Sequence, residues 1–549
     1  MRRRLWLVLT MMACLIVLFV VTSSALAATP KRVLIVVMDQ MRPEYAKQYN
    51  MTNVLWLENH GANFHKAYVG DMASETVVSH NVMVSGLFPK HMGWSDEAFR
   101  DTGNVLGDTG GKGIYVTGDL GYSDFQALVA AGNYPKLGTY LHAKYPGSIV
   151  ACVGEKSYQV ESMTAGNADI GVRMSSAKTT DPALVSILGG AYRIPTGVNV
   201  PSYIADDTRF AINSDANNDY GTSTTSPAWM DDEIGDRMVP GIITGHLGGD
   251  DWVTDATIKI MQNENWSGLF LNFGGIDKVG HMWGGGEVDN LKTYQWDPNS
   301  IYNQVHMPFI AKNADTQLGR LIGTLKALHE FNDTMIVVLA DHGNVYAKHF
   351  EGVNAQDSGS QSYYGTSVND GTDYLVPWPN IKPEIDTGNV AFSYVTTALE
   401  TWLTDYSHAK RVQMAQVMRK MPGVIATYIK SDAGTSYVLQ SSNKARMTKS
   451  ALAWWKQHGQ ELVNTMAWSG SADVVGLLAD HTGYSEIGDH GGAQKTEQRI
   501  PMAMYVPGMK HLVSNAPFRL VDVMPTIMRT MGLTPTKAMD GKAYKLPIH

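Results

Sequence analysis

The chain has 549 residues, 44% hydrophobic and 17% charged, with a formal charge of −8. That suffices for a large buried core, in one big α/β domain or two, and the acidity argues against a nucleic-acid partner. With only Cys14 and Cys152 present, a disulfide framework is excluded.

The N-terminus reads Met1-Arg2-Arg3-Arg4, an apolar run from Leu5 to Val21, then Thr22-Ser23-Ser24-Ala25-Leu26-Ala27-Ala28. A basic head, an apolar middle and a small-residue A-x-A site describe a secretory signal peptide over residues 1–28, cut after Ala27 or Ala28. The alternative is a retained anchor, but the run is near the lower limit for spanning a bilayer. No later stretch is long and apolar enough to span, so stable membrane insertion is not expected after cleavage. Cleavage removes three arginines and no acid, moving the formal charge from −8 to −11. Exported without disulfides, the chain fits a bacterial cell envelope, periplasmic or secreted.

Strand-like apolar runs then alternate with helical patterns, which predicts a mainly parallel sheet covered on both faces. Strands are expected at 33–38, 148–153, 268–273, 335–340, 474–478 and 502–506. Helices are expected near 50–60, 77–86, 303–330, 394–404, 408–420 and 517–531. Cys152, in VACVG, reads as a buried strand residue. The stretches 100–134, 197–249 and about 351–379 are rich in Gly, Asp, Asn, Ser and Thr and read as long surface excursions. The segment 382–470 mixes helix and strand signals and reads as an inserted subdomain.

Several ionisable groups close these runs. Asp39 ends VLIVVMD, Asp277 follows LFLNFGGI, and Asp341-His342 end MIVVLADHG. In an open α/β sheet the carboxyl ends of the strands are where ligands bind, so these side chains are expected on one rim. Thr76 precedes a helical run, where unpaired N–H groups and the helix dipole favour an anion, although taken alone an ordinary N-cap explains it better. Asp277 and His281, at i and i+4, share one side of a helical turn, with Gly280 between them allowing close approach. Asp480-His481 also follows an apolar run, so residue chemistry alone leaves two Asp-His pairs in play. His490 lies in GDHGG, ahead of the strand MAMYVPG.

These motifs resemble the alkaline phosphatase superfamily in its type I phosphodiesterase/nucleotide pyrophosphatase branch. VVMDQMRPE, Thr76 with SGLFPKHMG, FGGIDKVGH, VVLADHGN and GDHGGAQ…RIPMAMYVPG follow in the branch's order, and LVDVMPTIMRTMGL resembles its C-terminal helix. The resemblance implies an alkaline-phosphatase-like α/β sandwich over 29–549. It also implies two Zn²⁺ (or other divalent cations), one held by Asp277, His281 and His490, the other by Asp39, Asp341, His342 and the Thr76 hydroxyl. Thr76 would be the nucleophile, Asp341-His342 would be the metal pair in preference to Asp480-His481, and the substrate would be a small-molecule phosphate ester.

Two departures bear on the substrate. Where many relatives place a phosphate-donating asparagine, this chain reads Trp94-Ser95-Asp96-Glu97, and an ionised acid would repel a phosphate dianion. Lys156 matches the first member of a Lys-x-Arg/Lys phosphate grip, while Tyr158 replaces the second. One cation lost and an acid gained favour a diester or pyrophosphate over a monoester or phosphonate. A sulfatase is excluded by Thr76, Val78 and His80 where its signature needs Cys or Ser, Pro and Arg. A non-catalytic metal-binding protein that kept the fold is the remaining alternative of another class. Oligomeric state has no signal in the sequence.

Overall fold

The computed structural model describes residues 29–94, 96–107, 113–174, 178–179, 192–210, 212–213, 249–283, 301–346, 388–421, 423–483 and 488–548. The expected signal segment 1–28, the expected 351–379 excursion, residues 382–387 and most of the 197–249 stretch lie outside them. Among the described residues no helix is long and apolar enough to cross a membrane.

The central sheet has nine strands: β1 (Arg32–Met38), β2 (Ala62–Phe64), β3 (Ile149–Gly154), β4 (Ile170–Arg173), β5 (Thr196–Val198), β6 (Trp266–Phe273), β7 (Thr334–Leu339), β8 (Met502–Tyr505) and β9 (Leu512–Ser514). Their spatial order is β9-β2-β8-β7-β1-β6-β3-β4-β5. β1 pairs parallel with β6 and β7, β6 with β3, β3 with β4, and β2 with β9. β8 runs antiparallel to β7 and β2, and β5 antiparallel to β4. The sheet is therefore mostly parallel, as the alternation of elements predicts. Val33 through Met38 are fully buried, the continuous apolar run expected of a strand covered on both faces. Cys152 is buried in β3.

Register aligns the strand ends. Met38 lies opposite Phe273, and Val37 opposite Leu339, so the residues after β1, β6 and β7 leave the sheet at one level. The helix Thr76–Ser85 is buried at all ten positions although half of them are polar, and buried polar side chains such as His80 and Asn81 find hydrogen-bond partners there. It packs against the helices Ser157–Thr164 and Val523–Met531. The helix Gly275–Trp283 lies beside Ile301–Ala327.

A second, antiparallel sheet takes five strands from residues 390–478, in the order Val390–Val395, Ala398–Leu403, Val474–Leu478, Val424–Lys430, Tyr437–Ser442. On one face Met414 and Met418 of the helix His408–Met418 pack with Leu399, Leu403 and Val474. Around the other, Trp402, Tyr428 and Val475 pack with Val463 and Met466. The expectation of a helix over 394–404 is wrong: these residues form a hairpin. Val395, Ala398, Leu399, Trp402 and Leu403 mimic helical spacing because the turn at Thr396-Thr397 shifts the phase and Ala398–Leu403 is buried on both faces. The reading of 100–134 as a surface excursion is also corrected. It holds the helix Tyr122–Gly132, whose Phe125, Leu128 and Val129 are buried at i, i+3 and i+4.

Candidate active site

Four neighbouring parallel strands, β7, β1, β6 and β3, deliver Asp341-His342, Asp39, Asp277 and Lys156 to one rim. Asp39 follows β1 directly. Gln40 then turns the chain with a φ of 63°, and its backbone N–H donates to Asp341 Oδ1 at 3.1 Å. Its side-chain amide donates to Asp277 Oδ1 at 3.0 Å and accepts from Asn344 Nδ2 at 2.8 Å. Gln40 thus ties three strand ends together. The fit explains Gly280: a Cβ there would stand 1.8 Å from Gln40 Oε1.

Asp39, Asp341 and His342 form one fully buried cluster that could hold a metal ion, their donor atoms all within 4.8 Å of one another. His342 Nε2 lies 3.5 Å from Asp39 Oδ1 and 3.5 Å from Asp341 Oδ2. Its Nδ1 faces the Gly343 carbonyl at 3.1 Å, which assigns the proton there and leaves the Nε2 lone pair for the cluster. Asp39 Oδ1 and Asp341 Oδ2 are buried with no hydrogen-bond partner, an arrangement that is costly unless a cation compensates it.

Asp277, His281 and His490 form a second such cluster. On the helix Gly275–Trp283, Asp277 Oδ1 and His281 Nε2 are 3.1 Å apart. His490 Nε2 lies 3.2 Å from His281 Nε2 and 3.6 Å from Asp277 Oδ1. Its Nδ1 faces Ser74 O at 3.1 Å and Glu75 Oε2 at 3.2 Å. The His342 and His490 rings stack with centroids 3.6 Å apart, so the clusters are adjacent.

Lys156 spans them. Its Nζ donates to Asp277 Oδ2 at 2.7 Å and to Thr76 Oγ1 at 3.1 Å, and lies 2.9 Å from Asp39 Oδ2. Lys156 is 4% exposed, a buried lysine rather than a surface one. Burial opposes its charge, but Asp277 and Asp39 hold the ammonium well above the usual lysine range. Burial likewise disfavours the Asp277 carboxylate, yet Lys156 and His281 keep it well below the usual range. Burial and the Asp39 charge push Asp341 the other way, well above it. Burial and His490 push His342 well down, so its imidazole is neutral and able to ligate.

Thr76 is the first residue of its helix rather than the N-cap, which is Glu75 in extended geometry. Its hydroxyl lies 3.4 Å from His342 Nε2. His80, one turn on, bonds the Thr76 carbonyl through Nδ1 at 2.7 Å, and burial pushes its imidazole down to about 4. Asn272 donates to Asp39 Oδ2 at 2.9 Å and faces His80 Nε2 at 3.2 Å. Glu97 does not point away from the site: its Oε1 accepts from the Val77 N–H at 3.2 Å.

All eight residues singled out in the sequence, the seven oxygen and nitrogen donors and Lys156, meet at this rim. Asp480 and His481 do not. Asp480 accepts from the Thr448 hydroxyl at 2.8 Å, and both residues line a separate cavity with Arg42 and Lys495. Gln40, Asn272, Asn344 and Glu75 complete the site without having been singled out. The one local signal was position, since Gln40 and Glu75 flank Asp39 and Thr76.

This architecture is the alkaline-phosphatase-like α/β fold. The alkaline phosphatase PafA matches at a TM-score of 0.55 and 15% identity, over 92% of this chain and 96% of that one. Murine ectonucleotide pyrophosphatase / phosphodiesterase 5 matches at 0.53 and 9%, over 93% and 97%, and its inactive variant in complex with AMP at 0.52 and 10%, over the same shares. No curated protein matches significantly. The family model described as type I phosphodiesterase / nucleotide pyrophosphatase matches residues 33–357, and the chain belongs to that family. It is thus a hydrolase acting on phosphoric ester bonds.

Proposed function

We propose that the chain is an exported, metal-dependent phosphoesterase that works through a phosphothreonine on Thr76, with a preference for phosphodiesters or pyrophosphates. The observation that carries this reading is the Thr76 hydroxyl, which contacts both Lys156 and His342 where two clusters of oxygen and imidazole donors adjoin. The donor set suits two divalent cations with mixed N and O ligands, zinc foremost, and the orphaned Asp39 and Asp341 oxygens fit that assignment. Asp39, Asp341, His342 and Thr76 would hold one ion, and Asp277, His281 and His490 the other. When bound, the pair supplies Lewis acidity to the phosphoryl oxygens and to the attacking and leaving oxygens.

The chain's own groups do the rest. Thr76 Oγ1 forms the bond to phosphorus as the bond to the leaving oxygen breaks in line; the Lys156 ammonium stabilises the deprotonated hydroxyl, whose proton is passed through solvent to the leaving alkoxide, released as the alcohol. Water then attacks the phosphothreonine, freeing the product and returning a proton to Thr76. Gln40 and Asn272 orient Asp277 and Asp39, and Glu75 and the Ser74 carbonyl fix His490.

Thr76→Ala should cut turnover of an aryl phosphodiester by on the order of a thousandfold while keeping its bound metal. Wild-type turnover by that variant would refute the nucleophile. Two bound metals without turnover in the wild type would instead favour the non-catalytic binding protein. Export rests on the sequence of residues 1–28, and a mature N-terminus other than residue 28 or 29 would contradict it.

A further inference from the structure

We propose that Glu97 is a specificity-determining residue, occupying the backbone donor of the residue that follows the nucleophile and so selecting phosphoryl groups of single negative charge, the diesters, over dianionic monoesters. The inference rests on the reading of Thr76 as nucleophile and deepens it.

A helix N-terminus offers unpaired N–H groups that ordinarily receive an anion. Here Thr76 is the first helical residue, so the Val77 N–H is the donor adjacent to the hydroxyl that takes the phosphoryl group. Glu97 Oε1 already accepts from it at 3.2 Å. The side chain is fixed in that pose. Its other oxygen accepts from the Thr117 hydroxyl, its N–H donates to Asp96 Oδ1 at 2.7 Å, and its carbonyl accepts from the Thr117 N–H at 2.7 Å. Glu97 is also not a lone acid. Glu75, Asp96 and Glu400 are buried around it, and Asp96 shares a hydrogen bond with Glu400. Burial and the Glu75 charge push Glu97 up to about 7, as expected of a buried carboxylate crowded by like charge, so its repulsion of an anion is fully present above that pH, where the test is run.

A monoester dianion brought to Thr76 would set a charged oxygen against this acidic wall, with one backbone donor already taken. A diester presents there an esterified oxygen that carries no charge and needs no donor. The contribution of Glu97 is therefore discrimination by repulsion.

The test uses the full zinc-loaded chain at about pH 8 and compares wild type with Glu97→Gln on an aryl phosphate monoester and a bis-aryl diester, with inorganic phosphate binding measured by calorimetry. The amide removes the charge and can turn its N–H₂ toward a phosphoryl oxygen. We expect the monoester-to-diester ratio of kcat/KM and the phosphate affinity each to rise about tenfold or more. An unchanged monoester-to-diester ratio, or equal losses on both esters, would overturn the role of Glu97. If Glu97→Gln does not fold, wild type decides alone: at about pH 8 an arylphosphonate dianion should bind no tighter than its monomethyl ester, and tenfold tighter binding of the dianion would overturn the proposal. Absence of turnover of either ester by wild type would refute the phosphoesterase reading instead, a separate result.

Discussion

Lys156 carries two tasks that pull in different directions. Without metal its ammonium is the positive charge among Asp39, Asp277 and Asp341, all fully buried. In the proposed reaction it would also meet the phosphoryl group. Removing it should therefore expose the carboxylates' mutual repulsion. Lys156→Met is expected to lose about 3 kcal/mol of stability in chelator, the cost of stranding buried charge, and to recover most of it on adding zinc. Thermal melts in both conditions check this, and a variant as stable as wild type in chelator would refute it. At this scale the sequence was informative about types and poor on partners. Lys156 could be read as a phosphate contact from its motif, but not as the bridge between clusters. Gln40 shows why: its partners Asp277, Asn344 and Asp341 stand more than two hundred positions away, and a lone amide after the end of a strand has no pattern of its own.

At the level of elements, the helix Gly275–Trp283 and the hairpin 390–403 set the second cluster. The helix is held by its N-terminus, where Gly274 N–H donates to Glu155 Oε1 and Gly275 N–H to Asp250 Oδ1, and by the fit of Gly280 against Gln40. Gly280→Ala should push the Gln40 amide or the helix aside and misplace Asp277 and His281. Zinc affinity and diester turnover are each expected to fall by about ten- to a hundredfold, as for other changes in metal-supporting groups, with the fold intact by circular dichroism. Unchanged zinc affinity would show that the contact yields freely. The hairpin turn reaches His490: Thr396 Oγ1 donates to Gly491 O at 3.1 Å, and Thr397 N–H to His490 O at 3.3 Å. We read this five-stranded sheet as the inserted subdomain. Parallel strands such as β1 and β7 were legible because burial on both faces writes an unbroken apolar run. The hairpin was not, because a strand buried on both faces next to a short turn imitates helical periodicity. Its β-branched residues, Val390, Val395 and Thr401, were the overlooked cue.

Across the whole molecule, the site draws side chains from Asp39 to His490, so the proposed cations would tie the central sheet to the segment that follows the second one. The parallel sheet and its rim were foreseeable, since strand ends in such sheets gather ligands. Which of two Asp-His pairs belonged there was not legible in residue chemistry, since Asp480-His481 and Asp341-His342 are locally alike; only the family resemblance pointed to Asp341-His342, and topology separates the two pairs in space. Val474–Leu478 ends in the second sheet, away from the rim.

The face-to-face contact of the His342 and His490 rings has a further consequence. Each ring belongs to a different cluster, so an ion that immobilises one imidazole also restricts its neighbour and lowers the entropy still to be lost at the other position. Uptake of the two ions should then be positively cooperative. A zinc titration of metal-free protein is expected to yield one steep transition rather than separate steps, and two well-resolved affinities would mean that the stacked rings act independently.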